Sequence, residues 1–574
     1  MGSRRRLGLL VLATALAACG HTMRPFSARP IVWEDADRKP FPKKPDLYES
    51  PLGWNGADKT LLMPITDALW LKLGREAIDV NAVDEVPDSS WFANRLSRAP
   101  MTPEEMARGQ CQGLPPDQDF PWTVVSAKLE GQTAGVRIRS ASGVGYFLEF
   151  DFPRQPEMAS AADVIGSRIY HAAGFHAVCD RIVFFESKDL LVPPPKSDDT
   201  GKDETAKKKR VSRETLDAIL QIAPRAPDGR FRGMASQVAE GEPLGPWKYE
   251  DVRSDDPNDV IPHEDRREVR ATRVLTAWLN HYDTGENNTL AMWIPVPSGG
   301  GYVLHDTIDW NDSLGFLFPI DALTRRLGYS YYFDMGAISR DFWTFGAVER
   351  PYERVQFGKT GAILGYFDDA EFDPEDWHPG YPNPAFSRMT ERDAAWMARI
   401  VARFSDAHLK AIVAEAKISH PVVVEELLRI LAGRRDRILR RWLTRLSSFT
   451  DPTVRERDGG FELCLSDRAE EAGLGAPPAP SASVWLSQKQ ATPLPLSRGG
   501  PAEFCARLPD SPPEYLVVDF VTGRPKQSPA RVHLGGGQRP QLLGLERPEN
   551  DALPAAVPAA PGGRPSPTTG APLQ

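Results

Sequence analysis

The chain has 574 residues, 41% hydrophobic and 26% charged, values normal for a soluble globular protein long enough for two to four domains. Its net charge of −9 argues against nucleic acid as a partner and against a broad electrostatic grip on anionic lipid.

The N-terminus reads Met1-Gly-Ser-Arg4-Arg5-Arg6, then an apolar run from Leu7 to Ala18, then Cys19-Gly20. A basic start, a short apolar core and small residues before a cut site predict a secretory signal over 1–18. The run falls short of the roughly 20 residues that a membrane-spanning helix needs. Leu16-Ala17-Ala18-Cys19 resembles the lipobox of bacterial lipoproteins. That resemblance implies cleavage before Cys19, thioether lipidation with palmitate-type acyl chains, and membrane attachment of the mature chain in the cell envelope. Gly20 stands where an Asp would retain such a protein at the inner membrane, so the expected address is the outer membrane, with an envelope protein as a possible partner. Loss of residues 1–18 removes three arginines and leaves a net charge of −12.

Lipidation spends one of five cysteines, leaving Cys111, Cys179, Cys464 and Cys505, which allow three pairings. An exported chain permits disulfides. Cys464 and Cys505 share one C-terminal segment and are the favoured pair, with Cys111 and Cys179 remaining; free buried thiols are the alternative.

Residues 19–60, rich in Pro, Lys and Asp, read as a tether, and 61–117 as an N-terminal extension with short helical patterns. Trp122–Leu129, Gly135–Ser140 and Gly145–Asp151 are β-rich runs between glycine turns. An amphipathic helix over Ala159–Ala173 follows, then a strand, Arg181–Phe185. Residues 191–211 form an exposed, charged loop, and a mostly helical region occupies 212–447, with helices at 391–402, 406–417 and 421–446. The arginines of 421–446 read as a solvated face. Residues 451–545 look like a small β-rich add-on, and 546–574, rich in Pro, Ala and Gly, like a disordered tail. The class is therefore α+β.

The stretch that carries chemistry is Trp278-Leu-Asn-His281-Tyr-Asp283-Thr-Gly-Glu-Asn287-Asn288, followed by Tyr302-Val-Leu-His305-Asp306-Thr-Ile308-Asp309-Trp310-Asn311. A helix over Glu264–Asn280 ends where His281 and Asp283 begin, and a hairpin turning at Ser298–Gly301 brings Asp309 back beside that loop. Phosphoryl transfer uses an Asp to orient the attacking hydroxyl, an Asn five positions on for Mg²⁺, and a second Asp after a strand for the metal that bridges the phosphates. Asp283, Asn288 and Asp309 have those types and that order. The bland alternative is that Asp283 and Asn288 brace a loop. No zinc spacing, EF-hand, serine elbow or dinucleotide fingerprint occurs.

Residues about 85–450 resemble a family of bacterial kinase-fold proteins, distantly similar to phosphatidylinositol-kinase-like and HipA-like kinases. The resemblance rests on Pro87-Asp-Ser-Ser-Trp91-Phe-Ala-Asn94-Arg95, Pro156-Glu-Met-Ala-Ser-Ala-Ala-Asp163, Asp255-Asp-Pro-Asn-Asp-Val-Ile-Pro-His263-Glu-Asp-Arg-Arg267, and Asn280-His-Tyr-Asp283 with Asn288-Thr-Leu. It implies a two-lobed atypical kinase-like fold, with an N-lobe over 118–190, a C-lobe over 212–447, and ATP and Mg²⁺ as cofactors if the protein is active. The turn containing Gly131 and Gly135 would then cover the nucleotide, Asp283 would be the catalytic base, and Asn288 and Asp309 the metal ligands.

The departures matter equally. Glu149 stands where relatives carry the phosphate-binding Lys, the helix carboxylate is Asp163, and Trp310-Asn311 replaces Phe-Gly after the metal Asp. Two like charges at ~4 Å cost about 4 kcal/mol at an effective dielectric of 20, so Glu149 would repel phosphate. Three readings follow: a pseudokinase; a substitute cation from Lys128, Arg137 or Arg139; or Glu149 as part of a metal site. A non-enzymatic envelope scaffold or ligand-binding lipoprotein is the competitor from another class.

Overall fold

The computed structural model describes residues 26–69, 74–127, 135–193, 211–487 and 490–548. Cys19, the signal segment, Lys128, Gly131, most of the 191–211 loop and nearly all of the 546–574 tail lie outside them. The chain is α+β and divides into two compact units. The larger comprises Trp33–Val80 and Val86–Arg441; of the described residues, the smaller takes 26–32, Asn81–Glu85 and 442–548.

In the larger unit, α1 (Pro103–Arg108) precedes a six-stranded sheet. Strands β1 (Trp122–Ala127), β2 (Gly135–Arg139) and β3 (Gly145–Glu149) form an antiparallel meander. Their alternation sets the faces: Val136, Ile138, Tyr146 and Leu148 are buried, while Arg137, Arg139 and Phe147 face out. Helix α2 (Met158–Ala173) is buried on nearly every side, and its alanines and Gly166 allow close approach. β4 (His176–Ala177) and β5 (Asp180–Phe185) follow, then β6 (Leu190–Leu191) and helix α3 (Arg213–Ile222). β7 (Phe231–Gln237) inserts between β3 and β5, giving the order β5-β7-β3-β2-β1-β6. The sheet thus claims residues that the sequence assigns to the helical region beyond 212, because the Phe231–Ala235 run is fully buried and only sheet pairing satisfies its backbone.

A second sheet, in the order β4-β10-β9-β8, joins β4, β8 (Glu242–Pro243), β9 (Thr289–Pro295) and β10 (Gly301–Thr307). The β9–β10 hairpin turns where the glycines predict it. Helices α4 (Arg267–Leu279), α5 (Glu391–Val401), α6 (Asp406–Glu415) and α7 (Pro421–Trp442) supply the helical side. Arg434 of α7 departs from the expected solvated face. It is buried, and its guanidinium donates to the carbonyls of Ala277 and Trp278, at the end of α4, and of Asp368.

The arm that reads as a tether over 19–60 is held from residue 26 on. Asp37 accepts hydrogen bonds from the Ser90 amide (2.9 Å) and hydroxyl (2.7 Å), Phe41 bridges to Gly301, and the Tyr48 amide donates to Leu244. Cys111 is bonded to Cys179, joining the loop after α1 to the start of β5.

The smaller unit has two antiparallel sheets. One has the order β11 (Phe449–Arg457), β12 (Gly460–Asp467), β16 (Glu503–Arg507), β15 (Leu496–Gly500). The other runs β14 (Gln490–Leu494), β13 (Ser481–Ser487), β17 (Tyr515–Val521), β18 (Ala530–Gly535), β19 (Gln541–Glu546). Phe449 meets Phe504 of the first sheet and Phe520 of the second, and Cys464 is bonded to its register partner Cys505. Phe26 also belongs here. Its amide donates to the Tyr515 hydroxyl (3.0 Å), and its ring lies so close to Gly544 that a Cβ there would stand 2.5 Å away. Among the described residues no helix is long and apolar enough to cross a membrane.

Candidate functional site

Helix α4 stops at Asn280, whose φ of +53° suits an Asn at a helix end and whose side chain accepts from the Trp377 indole. The loop that begins there is pinned from several sides. The Asp283 amide donates to Asp312 Oδ2 (3.0 Å), and His281 Nε2 lies 3.3 Å from Asp312 Oδ1. Asn288 Nδ2 donates to the Asp283 carbonyl (2.6 Å), which turns Asn288 Oδ1 away from that carbonyl. The Tyr381 hydroxyl donates to Asp283 Oδ1. So Asn288 braces the loop of Asp283, and the carboxylate expected to act as base already accepts a phenol proton.

Asp309 follows β10 with a left-handed φ of +61°, a strained setting for a residue with a Cβ. The next residue, Trp310, is fully buried against α2. A Cβ on Gly166 would lie 2.4 Å from Trp310 Cγ, and the Tyr170 ring is 5.2 Å away. The bulk of Trp310 is thus accommodated by the absence of a side chain at Gly166. The Trp310 amide donates to Asp163 Oδ1 (2.7 Å).

Around Asp163, Asp309 and Asp312, the group of acids referred to as the cleft, acid acts on acid. Burial pushes the Asp163 carboxyl well above its usual range, and the charges of Asp309, Asp180 and Glu149 push it further the same way. Asp312 is likewise raised well above normal by burial, then by Asp283 and Asp309. Asp180 is raised to about 7 by burial, against the pull of Ser236 and Arg168 and with the help of Glu149. Asp309 is felt by Asp163 on one side and Asp312 on the other, so Glu149, Asp163, Asp309, Asp312 and Asp283 form one electrostatically linked row of acids.

Glu149 pairs with Gly135 and with Met234 across the sheet. Arg137 shares its face of the sheet, one position further along, but its guanidinium lies over the Phe147 ring at 5.8 Å. Among the described residues no three acids, histidines or thiols of the cleft bring their ligand atoms within 4.8 Å of one another. The group that does, Glu462 with Cys464 and Cys505, has both sulfurs in a disulfide. Oxygen donors of this kind suit a hard cation, and holding one requires them to close in.

Asp312 and Tyr381 were not singled out by sequence reasoning. Asp312 lies three residues past Asp309, and that spacing was its one local signal; Tyr381 lies 98 residues from Asp283 and had none. Conversely, several motif residues meet away from the cleft. The Ser90 hydroxyl joins Asp37 to His305 Nδ1 (3.1 Å), and the His305 ring stacks flat on Trp91 at 3.6 Å. The guanidinium of Arg266 lies over Trp91 at 4.9 Å, and His263 bonds Asp259 at 2.7 Å. This buried network ties the N-terminal arm to the hairpin and explains those motifs as architecture.

Comparison with protein-family models, curated proteins and solved structures finds no match to this chain.

Proposed function

We propose that this chain is a lipid-anchored envelope protein whose larger unit is a kinase-like domain that has lost phosphoryl transfer and retains a cation-attracting cleft. One observation carries the reading. Where a kinase sets a strand lysine against a helix carboxylate to grip the α- and β-phosphates, this chain has Glu149 and Asp163, and the charge of Glu149 adds to the cost of ionising the buried Asp163. Support for the kinase-like frame comes from the β-meander, the following helix α2, and the later strands β5 and β7 in the order β5-β7-β3-β2-β1. Further support is the loop in which Asn288 bonds the Asp283 carbonyl. If a cation binds, Asn288, Asp309 and Glu149 are the residues to hold it, and it would supply the positive charge that phosphate needs.

The test is a thermal-shift titration with ATP and with Mg²⁺, separately and together, on the native chain and on Glu149→Lys. The reading expects no ATP-dependent shift in the native chain and a gain of ATP-Mg²⁺ binding in Glu149→Lys. Transfer of labelled phosphate by the native chain, abolished by Asp283→Asn, would defeat it and favour the active enzyme. For the anchor, Cys19→Ser is expected to abolish metabolic labelling by palmitate and to prevent maturation; continued labelling would remove Cys19 from the proposal.

A further inference from the structure

A cavity of about 830 Å³ opens beside helix α2. At 100° per residue, Arg168 lies roughly 140° around that helix from Asp163, so the cavity and the cleft use different faces of it. Its walls come from α1 and the loop after it, from α2, from the first residues of β5, and from the end of α6. The Cys111–Cys179 bond fixes the loop after α1 to the strand carrying Arg181.

Three arginines line the cavity: Arg108, Arg168 and Arg181. Arg168 is 2% exposed and rigidly placed, donating to the carbonyls of Ala107 (2.5 Å), Val164 (3.0 Å) and Asp180 (2.9 Å). Backbone carbonyls hold its position without cancelling its charge. Two acids act on that charge, Glu415, 3.8 Å away with a side chain 44% exposed, and the buried Asp180; Glu104 also borders the cavity. Arg181 donates a long 3.5 Å hydrogen bond to the Gln112 carbonyl. His171, on the same wall, reports the local potential. Burial drives its imidazole down to about 3, with Arg95, His176, Arg168 and Arg108 acting in the same sense.

We infer that this cavity is a binding site for a small organic oxyanion, a phosphorylated or carboxylated metabolite, held by the forks of Arg108 and Arg181 over the fixed charge of Arg168. Its volume lies in the range of small-molecule sites, far larger than a bare phosphate requires. The inference is independent of what the cleft binds.

Calorimetric titration of the full chain at fixed ionic strength with glucose 6-phosphate, citrate and inorganic phosphate tests it. Saturable binding is expected for at least one organic probe, tighter than for inorganic phosphate. Arg108→Ala and Arg181→Ala should each weaken it about tenfold, the scale of one lost charge-assisted hydrogen bond. Lys410→Ala, an exposed charge loss on α6, should leave it unchanged. Unligated melting curves show whether the variants fold. Absence of saturable binding for all three probes at millimolar concentration overturns the inference, as does equal weakening by Lys410→Ala. Inorganic phosphate binding as tightly as the organic probes overturns the organic assignment.

Discussion

Two sets of buried charges in the larger unit are handled in opposite ways. Arg232 and Asp151, 1% and 0% exposed at their side chains, meet at 2.8 Å, and Arg232 also reaches the Ser160 hydroxyl and the Ala416 carbonyl. Asp393, equally buried, is met by Arg267 and Arg270. Asp163 is as deep, yet the charged neighbours that act on it are Asp309, Asp180 and Glu149, all acids. Asp151 and Asp393 thus each have a counter-charge placed beside them. At Asp163 burial and acidic neighbours act in the same sense, and holding a proton relieves both.

The largest effect that can break this contrast is removal of a partner. Arg232→Met should destabilise the larger unit by about 3–5 kcal/mol in chemical denaturation, since it strands Asp151. Asp163→Asn should cost far less, because burial and acidic neighbours already disfavour its charge and the amide oxygen still accepts from Trp310. Equal losses would dissolve the distinction between the two settings.

Reduction comes next. Breaking Cys111–Cys179 and Cys464–Cys505 should each cost about 2–4 kcal/mol, read from denaturation of Cys→Ala pairs. Gly166→Ala sharpens the packing side of the cleft. Its Cβ would meet Trp310 at 2.4 Å, with an expected loss of about 1–3 kcal/mol, relieved in part by Trp310→Phe.

The acid cluster also predicts a pH dependence. Asp180 has a folded value of about 7, above its unfolded value, so the folded state binds more protons between those two limits. Its contribution is fully present below pH ~4 and is lost as pH rises towards 7, with a slope of at most about 1.4 kcal/mol per unit. Asp180→Asn should flatten the fall of melting temperature over that window. The smallest effect concerns Tyr381→Phe, which removes the hydrogen bond to Asp283 Oδ1 and should change stability by about 1 kcal/mol.

Local sequence was enough for the elements whose signal is local. The alternation of β2 and β3, the helical spacing of α2, the glycine turn between β9 and β10, and the loop holding Asp283 and Asn288 all lie in short windows. β7 could not be read this way. Its buried run has no alternation, and its partners β3 and β5 are each far away along the chain. The same limit hid the docking of the N-terminal arm, which reads as polar and proline-rich until Asp37 meets Ser90 and Phe26 meets Gly544.

The sequence by itself determined the residue types of the cleft: an acid at position 149, Asp163 on the helix, and bulk at Trp310. Only the tertiary structure decided that Asp163 answers a backbone amide, that Asp312 joins the row, and that Trp91, His263 and His305 build a buried clamp instead of a site. The reason is physical: a side chain's chemistry is covalent and local, whereas its protonation and its partners are set by burial and by neighbours that folding alone brings within a few ångströms.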